Sequence, residues 1–89
     1  CYNTVKKMFL LPSDKDRMWY LDEMMHHVEE IRDLVERGDE RYNEERTCSE
    51  HARIEAYDLV VLTAEAFGMK EVLGVVPDRI IERFNRKRR

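Results

Sequence analysis

The chain has little of what breaks or staples a backbone: three glycines, two prolines and two cysteines in 89 residues. Strand signals are almost absent, since the one β-branched cluster, "GVVP" at 74–77, is too short and too interrupted to carry a sheet. That excludes sheet-based folds and leaves helices. Cys1 and Cys48 stand alone, with no C-x-x-C spacing, so neither a structural zinc site nor a dithiol redox motif is indicated and both are read as ordinary thiols. No apolar run approaches the roughly 18–20 residues of a membrane helix, and nothing at the start resembles a signal peptide. A cytoplasmic, non-membrane protein is expected. Because the first residue is Cys rather than Met, the natural start is expected to lie upstream.

What the chain has in quantity is charge. Charged residues make up 39% and hydrophobic ones 43%, a composition of folded, helix-prone chains rather than disordered ones. The net charge is −3, but the last seven residues, "RFNRKRR", carry five of the sixteen basic groups, so the rest holds eleven basic against nineteen acidic residues, a net −8. An acidic body with a basic tail argues against stable nucleic-acid binding, which needs basic groups over a whole surface. Metal cations, or anionic ligands that carry a metal, suit it better. At this length a single domain spanning 1–89 is expected, and a lone chain buries only about 60–65% of its unfolded surface, so self-association is expected too.

The pattern predicts four helical pieces. A short N-terminal helix falls within residues 1–12, capped by Asn3 or Thr4 and stopped by Pro12; the core and its basic C-terminal helix fill 13–89. Ser13 is expected to cap a helix from Asp14 to Arg37, closed by Gly38. Residues 39–46 form a polar loop, after which Thr47 and Glu50 have capping-box spacing and open a helix that runs to Phe67, before Gly68. A turn around "MKEVLG" leads to a last helix opened by Pro77 or Asp78. The fold class expected is all-α, a bundle of about four helices completed by dimerisation or tetramerisation.

One polar skeleton occurs twice. "HHVEEIRDLV" (26–35) and "HARIEAYDLV" (51–60) both read H-x-x-x-E-x-x-D-L-V, which on a helix lines up His26, Glu30 and Asp33, and again His51, Glu55 and Asp58, within a stripe of roughly 60°. In the first helix Leu21, Met24, Val28, Ile31 and Val35 mark the buried face, so the first acidic stripe falls on the solvated side, although Trp19 and Leu34 beside it suggest a second contact surface. The second helix is apolar around nearly its whole circumference, through Ile54, Tyr57, Leu59, Val60, Val61, Leu62, Ala64 and Phe67. It reads as central. Glu55 and Asp58 then need an answer to their charge: protonation, a basic partner such as Arg32, Arg53 or Arg79, or a divalent cation. Four acids from two helices, Glu30, Asp33, Glu55 and Asp58, have the character of ligands for Mg²⁺ or Mn²⁺. Glu23-x-x-His26 has the spacing of a di-iron carboxylate site, but the second Glu-x-x-His such a site needs is missing.

"EEIRDL" at 29–34, followed after a spacer by "EAYDLVVL" at 55–62, resembles the E-E-x-x-E-L … E-x-x-D-V/L pattern of the MazG-like all-α nucleoside triphosphate pyrophosphohydrolases. The likeness continues through Gly68 to "ERFNRKRR", which is similar to that family's Lys/Asn/Arg-bearing C-terminal helix. The resemblance implies an oligomeric helical bundle whose acids hold Mg²⁺ and which converts a nucleoside triphosphate substrate to the monophosphate and pyrophosphate. Carried onto this chain, Glu30 and Asp33 stand for the first acid pair and Glu55 and Asp58 for the second, with Glu29 or Glu30 positioning the attacking water. Arg83, Asn85 and Arg86 would grip the distal phosphates and Trp19 would stack on the base. Three departures matter: Asp33 is one methylene shorter than the usual Glu, "DEMMH" at 22–26 offers an alternative register through Glu23 and His26, and Asp58 stands about one turn nearer Gly68 than usual. The competing expectation is a non-catalytic helical interaction module with a degenerate metal site.

Overall fold

The computed structural model describes residues 13–88; the helix expected within residues 1–12 lies outside the described residues. Among those described are three α-helices, α1 (Arg17–Arg37), α2 (Cys48–Phe67) and α3 (Asp78–Arg88), with a 3-10 helix at Lys70–Val75 leading into α3. The only extended pairing among them is an isolated bridge between Arg41 and Thr47. The fold class is therefore all-α, as the composition requires. No helix among the described residues is long and apolar enough to cross a membrane.

Local chemistry sets the helix ends. α1 starts three residues later than expected, because the Asp16 carboxylate, and not the Ser13 hydroxyl, accepts from the Trp19 N–H at 2.9 Å. A charged acceptor suits the positive end of a helix, while Ser13 Oγ takes the Lys15 N–H at 3.2 Å. α1 closes at Gly38, whose positive φ of 56° needs no Cβ accommodation and whose N–H donates to the Leu34 carbonyl. At the start of α2 the capping box is complete: the Thr47 hydroxyl accepts from Glu50 N–H at 3.2 Å and the Glu50 carboxylate accepts from Thr47 N–H at 2.7 Å.

The loop folds α2 back along α1. Asn43 Oδ1 accepts from the N–H groups of Glu45 and Arg46, while Cys48 and Ser49 N–H donate to the carbonyls of Glu40 and Gly38. At the far end Arg17 Nε reaches the Ala66 carbonyl at 2.7 Å, so the pair is an antiparallel hairpin. Against it pack the 3-10 helix and α3. The main apolar cluster joins Tyr20 of α1, Val61, Leu62 and Ala66 of α2, and Val76, Ile80, Ile81 and Phe84. A smaller one near the loop joins Leu34, Cys48 and Ala52, with Ile31 against it. Full burial of side chains the size of Ile or Phe stabilises by roughly 1.5–3 kcal/mol each.

The face that α1 buries differs from the one expected. Tyr20, Met24, His27, Ile31 and Leu34, spaced four and three apart, line the hairpin, whereas Val28 and Val35 are 51% and 60% exposed. Leu34, read from sequence as part of a second contact surface, is core. The helix carries two neighbouring apolar stripes that share Met24 and Ile31, and contact with α2 selects the one that ends in Tyr20 and Leu34. A polar layer thus sits mid-hairpin between the two apolar clusters.

Candidate metal and phosphate site

Glu55 and Asp58, one turn apart on α2, meet His27 from α1 and Arg83 from α3 in that layer. His27 Nε2 lies 3.4 Å from Glu55 Oε1 and 3.9 Å from Asp58 Oδ2, and ligand atoms from the three residues fall within 4.8 Å of one another. Arg83 donates to Asp58 Oδ2 through Nη1 and brings Nη2 to 3.6 Å from Glu55 Oε2. Lys87, one turn further along α3, places Nζ 3.9 Å from Asp58 Oδ2. His51, one turn before Glu55, puts Nε2 3.3 Å from Glu55 Oε2. Its ring stacks on Tyr42 at 3.7 Å, and Arg46 Nη1 stands 3.4 Å from its Nδ1.

Packing leaves the polar layer incompletely satisfied. The Asp58 side chain is fully buried, and Asp58 Oδ1, Glu55 Oε1 and His51 Nε2 are each buried without a hydrogen-bond partner. Burial pushes the Asp58 carboxyl above the ordinary Asp value, against the opposing pull of the Arg83 guanidinium. Burial works the other way on Arg83, but the hydrogen bond to Asp58 and the charges of Asp58 and Glu55 outweigh it and hold the guanidinium above its usual range. His51 is held below the ordinary His value first by burial and then by the positive charge of Arg46.

Of the four acids expected to bind metal, the structure brings together Glu55 and Asp58. Glu30 and Asp33 are exposed on α1, and Asp33 pairs with Arg37 at 3.6 Å. The first acidic stripe keeps to the solvated side where its position opposite the apolar residues puts it, and the face α1 buries gives the α1 position in the cluster to His27. Glu29 is exposed as well. Glu23 and His26, the alternative register, approach each other at 3.7 Å on the surface, apart from the cluster. None of the basic partners expected for the acids serves them: Arg32 stands 3.9 Å from Glu36, Arg53 covers the Tyr57 ring, and Arg79 is exposed. Arg83 takes that place.

The remaining substrate-side candidates divide. Asn85 is buried and Arg86 exposed. Trp19, partly exposed, lines a groove of about 630 Å³ together with Ser13, Asp14, Lys15, Lys87 and Arg88. Lys87 belongs both to the groove and to the acid pair, which makes them neighbours. Sequence reasoning missed His27, Lys87 and the inward orientation of His51. For His27 the signal was available in its place on the Tyr20–Leu34 stripe.

Comparison of the chain with protein-family models, with curated proteins and with solved structures found no match.

Proposed function

We propose that this chain is a divalent-cation-dependent nucleotide pyrophosphohydrolase that takes a nucleoside triphosphate to the monophosphate and pyrophosphate. The observation that carries this reading is the buried Glu55–Asp58 pair, each acid with one oxygen lacking a hydrogen-bond partner, lying under Arg83 and Lys87 beside a groove that contains an aromatic face. The donor set fits a small divalent cation, since two carboxylates and an imidazole nitrogen are ordinary ligands for one. Bound there, Mg²⁺ or Mn²⁺ would supply Lewis acidity to phosphate oxygens and lower the pKa of a bound water.

Charge supports a metal–nucleotide complex over a free ion. Glu55 and Asp58 are already balanced by Arg83 and Lys87, so a divalent cation alone adds two uncompensated positive charges. An anionic polyphosphate removes them. In this reading Arg83, a quarter exposed, turns from the acids to the phosphates as they arrive, Lys87 meets them from the groove side, and Trp19 offers its face to the base. Water attacks phosphorus, the bond to the pyrophosphate oxygen breaks, and pyrophosphate leaves. In this reading Glu29 or Glu30, both exposed on α1, would take the water's proton.

The test is turnover of a panel of nucleotides with and without Mg²⁺ or Mn²⁺, comparing the chain with Glu55→Gln. We expect cation-dependent release of pyrophosphate and a loss of about a hundredfold or more in the variant. No turnover by the folded chain with any nucleotide or cation would favour the second reading, a helical interaction module whose acids serve only to pair with Arg83. The exposed stripe of Met18, Met25, Val28 and Val35 on α1 supports self-association as a homodimer or homotetramer. Sedimentation of the chain as a monomer at high concentration would remove that part. A cytoplasmic setting accompanies the nucleotide reading.

A further inference from the structure

The two histidines beside the acid pair are held in opposite tautomers. His27 Nδ1 lies 2.9 Å from the Glu23 backbone carbonyl, which can only accept, so Nδ1 carries the proton. In the neutral ring Nε2 then bears a lone pair, 3.4 Å from Glu55 Oε1 and 3.9 Å from Asp58 Oδ2, the oxygen that accepts from Arg83. Three lone-pair donors therefore converge, and although Arg83 and Lys87 balance the charge of the acids, Glu55 Oε1 and Asp58 Oδ1 keep no hydrogen-bond partner. A proton on Nε2 would leave Glu55 Oε1 without a formed hydrogen bond, as it is now; a cation would engage the nitrogen and both acids together. An Nδ1–H held by a backbone carbonyl is also what fixes the ring of a metal-binding histidine.

His51 shows the reverse. Arg46 can only donate, so His51 Nδ1 accepts from it and Nε2 carries the proton, 3.3 Å from Glu55 Oε2 without a formed hydrogen bond. The Tyr42 ring keeps that imidazole in plane.

We infer that His27 Nε2, Glu55 and Asp58 form a site for a first-row transition cation of the Mn²⁺ type in preference to Mg²⁺, with His51 as a positioning residue for the Glu55 carboxylate. Mg²⁺ takes oxygen ligands in a near-ideal octahedron and gives up water reluctantly, whereas an imidazole nitrogen is a good ligand for the transition ions. Three protein ligands leave coordination positions for water and phosphate. The inference rests on the cation reading proposed above and refines which ion the site selects.

The experiment titrates the whole chain, without nucleotide, with MnCl2 and with MgCl2 by calorimetry. The expected result is Mn²⁺ bound about tenfold or more tightly than Mg²⁺, with His27→Gln abolishing the preference by weakening Mn²⁺ far more than Mg²⁺. His51→Gln should weaken both ions alike by about tenfold, which separates a positioning residue from a ligand. Should His27→Gln fail to fold, the ¹⁵N-histidine spectrum of the unaltered chain decides: Zn²⁺ must shift His27 Nε2 far more than Nδ1. Equal affinities for Mn²⁺ and Mg²⁺, or an Nε2 signal untouched by Zn²⁺, overturns the inference. Tight Mn²⁺ binding without nucleotide turnover would keep this site and remove the hydrolase, while Mg²⁺-supported turnover undiminished in His27→Gln would do the opposite.

Discussion

The two copies of H-x-x-x-E-x-x-D-L-V share a skeleton and have opposite fates. In the first, His26, Glu30 and Asp33 are exposed; in the second, His51, Glu55 and Asp58 are all buried. The polar residues are the same, so the difference comes from what stands between them. Residues 52–62 supply apolar groups on every side, so α2 is enclosed by α1 and α3 and takes its acids inside with it. Around the first copy the apolar residues crowd one half of α1, which leaves the other half to water. Identical charged patterns thus become a solvated face or a candidate site according to their neighbours.

The sharpest way to break this comparison is to delete the matching acid from each copy. Asp58→Ala leaves Arg83 without its main partner beside a buried Glu55, and should destabilise the chain by about 2–4 kcal/mol, the lower part of that range if Arg83 reaches water from its quarter-exposed position. Asp33→Ala removes a contact to Arg37 at the surface and should leave the urea midpoint unchanged. The double variant Asp58→Leu with Arg83→Met should recover part of the loss, because a packed apolar pair avoids the desolvation that a buried ion pair suffers while the buried Glu55 loses its guanidinium neighbour. Equal losses for Asp58→Ala and Asp33→Ala in urea melts would show that the second copy is not enclosed. A double variant as stable as the natural chain would mean that the acids are kept for something other than stability, which is what a ligand site requires.

How much of this could be read from the sequence depends on the range of the interaction. Gly38, Gly68, the Thr47–Glu50 box and the start of α3 were legible, because each is a contact between a side chain or backbone group and the backbone within a few residues. The enclosure of Glu55 and Asp58 was legible too, since α2 is apolar all round and any packing buries them. The inner face of α1 was not. Val28 and Val35 compete with Tyr20 and Leu34 on adjacent stripes, and the choice of the second is what brings His27 to the acid pair, while Glu30 and Asp33 stay solvated under either. Asp16 against Ser13 at the start of α1 was a contest between two good caps. The identity of the basic partner was out of reach for a different reason: Arg83 is 25 residues from Asp58, and nothing in its surroundings distinguishes it from Arg79 or Arg86 until α3 is docked.

A smaller effect separates the two histidines, and its sign follows from their surroundings. His51 has its pKa lowered from 6.5 by burial and by Arg46 and Arg83, with Asp58 and Glu30 pulling the other way. The folded chain therefore resists protonation of this ring, while the unfolded chain takes up the proton near 6.5. The stabilising contribution of His51 is complete above that value and lost as pH falls through it, down to the lower folded pKa, at up to about 1.4 kcal/mol per pH unit. Asp58 acts with the opposite sign, because its raised pKa means that the folded chain holds that proton better than the unfolded one. The two are separated by comparing variants in metal-free buffer. His51→Gln should flatten the fall in stability between about pH 7 and 5, and His26→Gln, altering a ring on the solvated copy, should leave it as it is. A pH profile changed by His26→Gln and not by His51→Gln would invert the roles of the two copies, and with them the orientation that His51 is said to impose on Glu55.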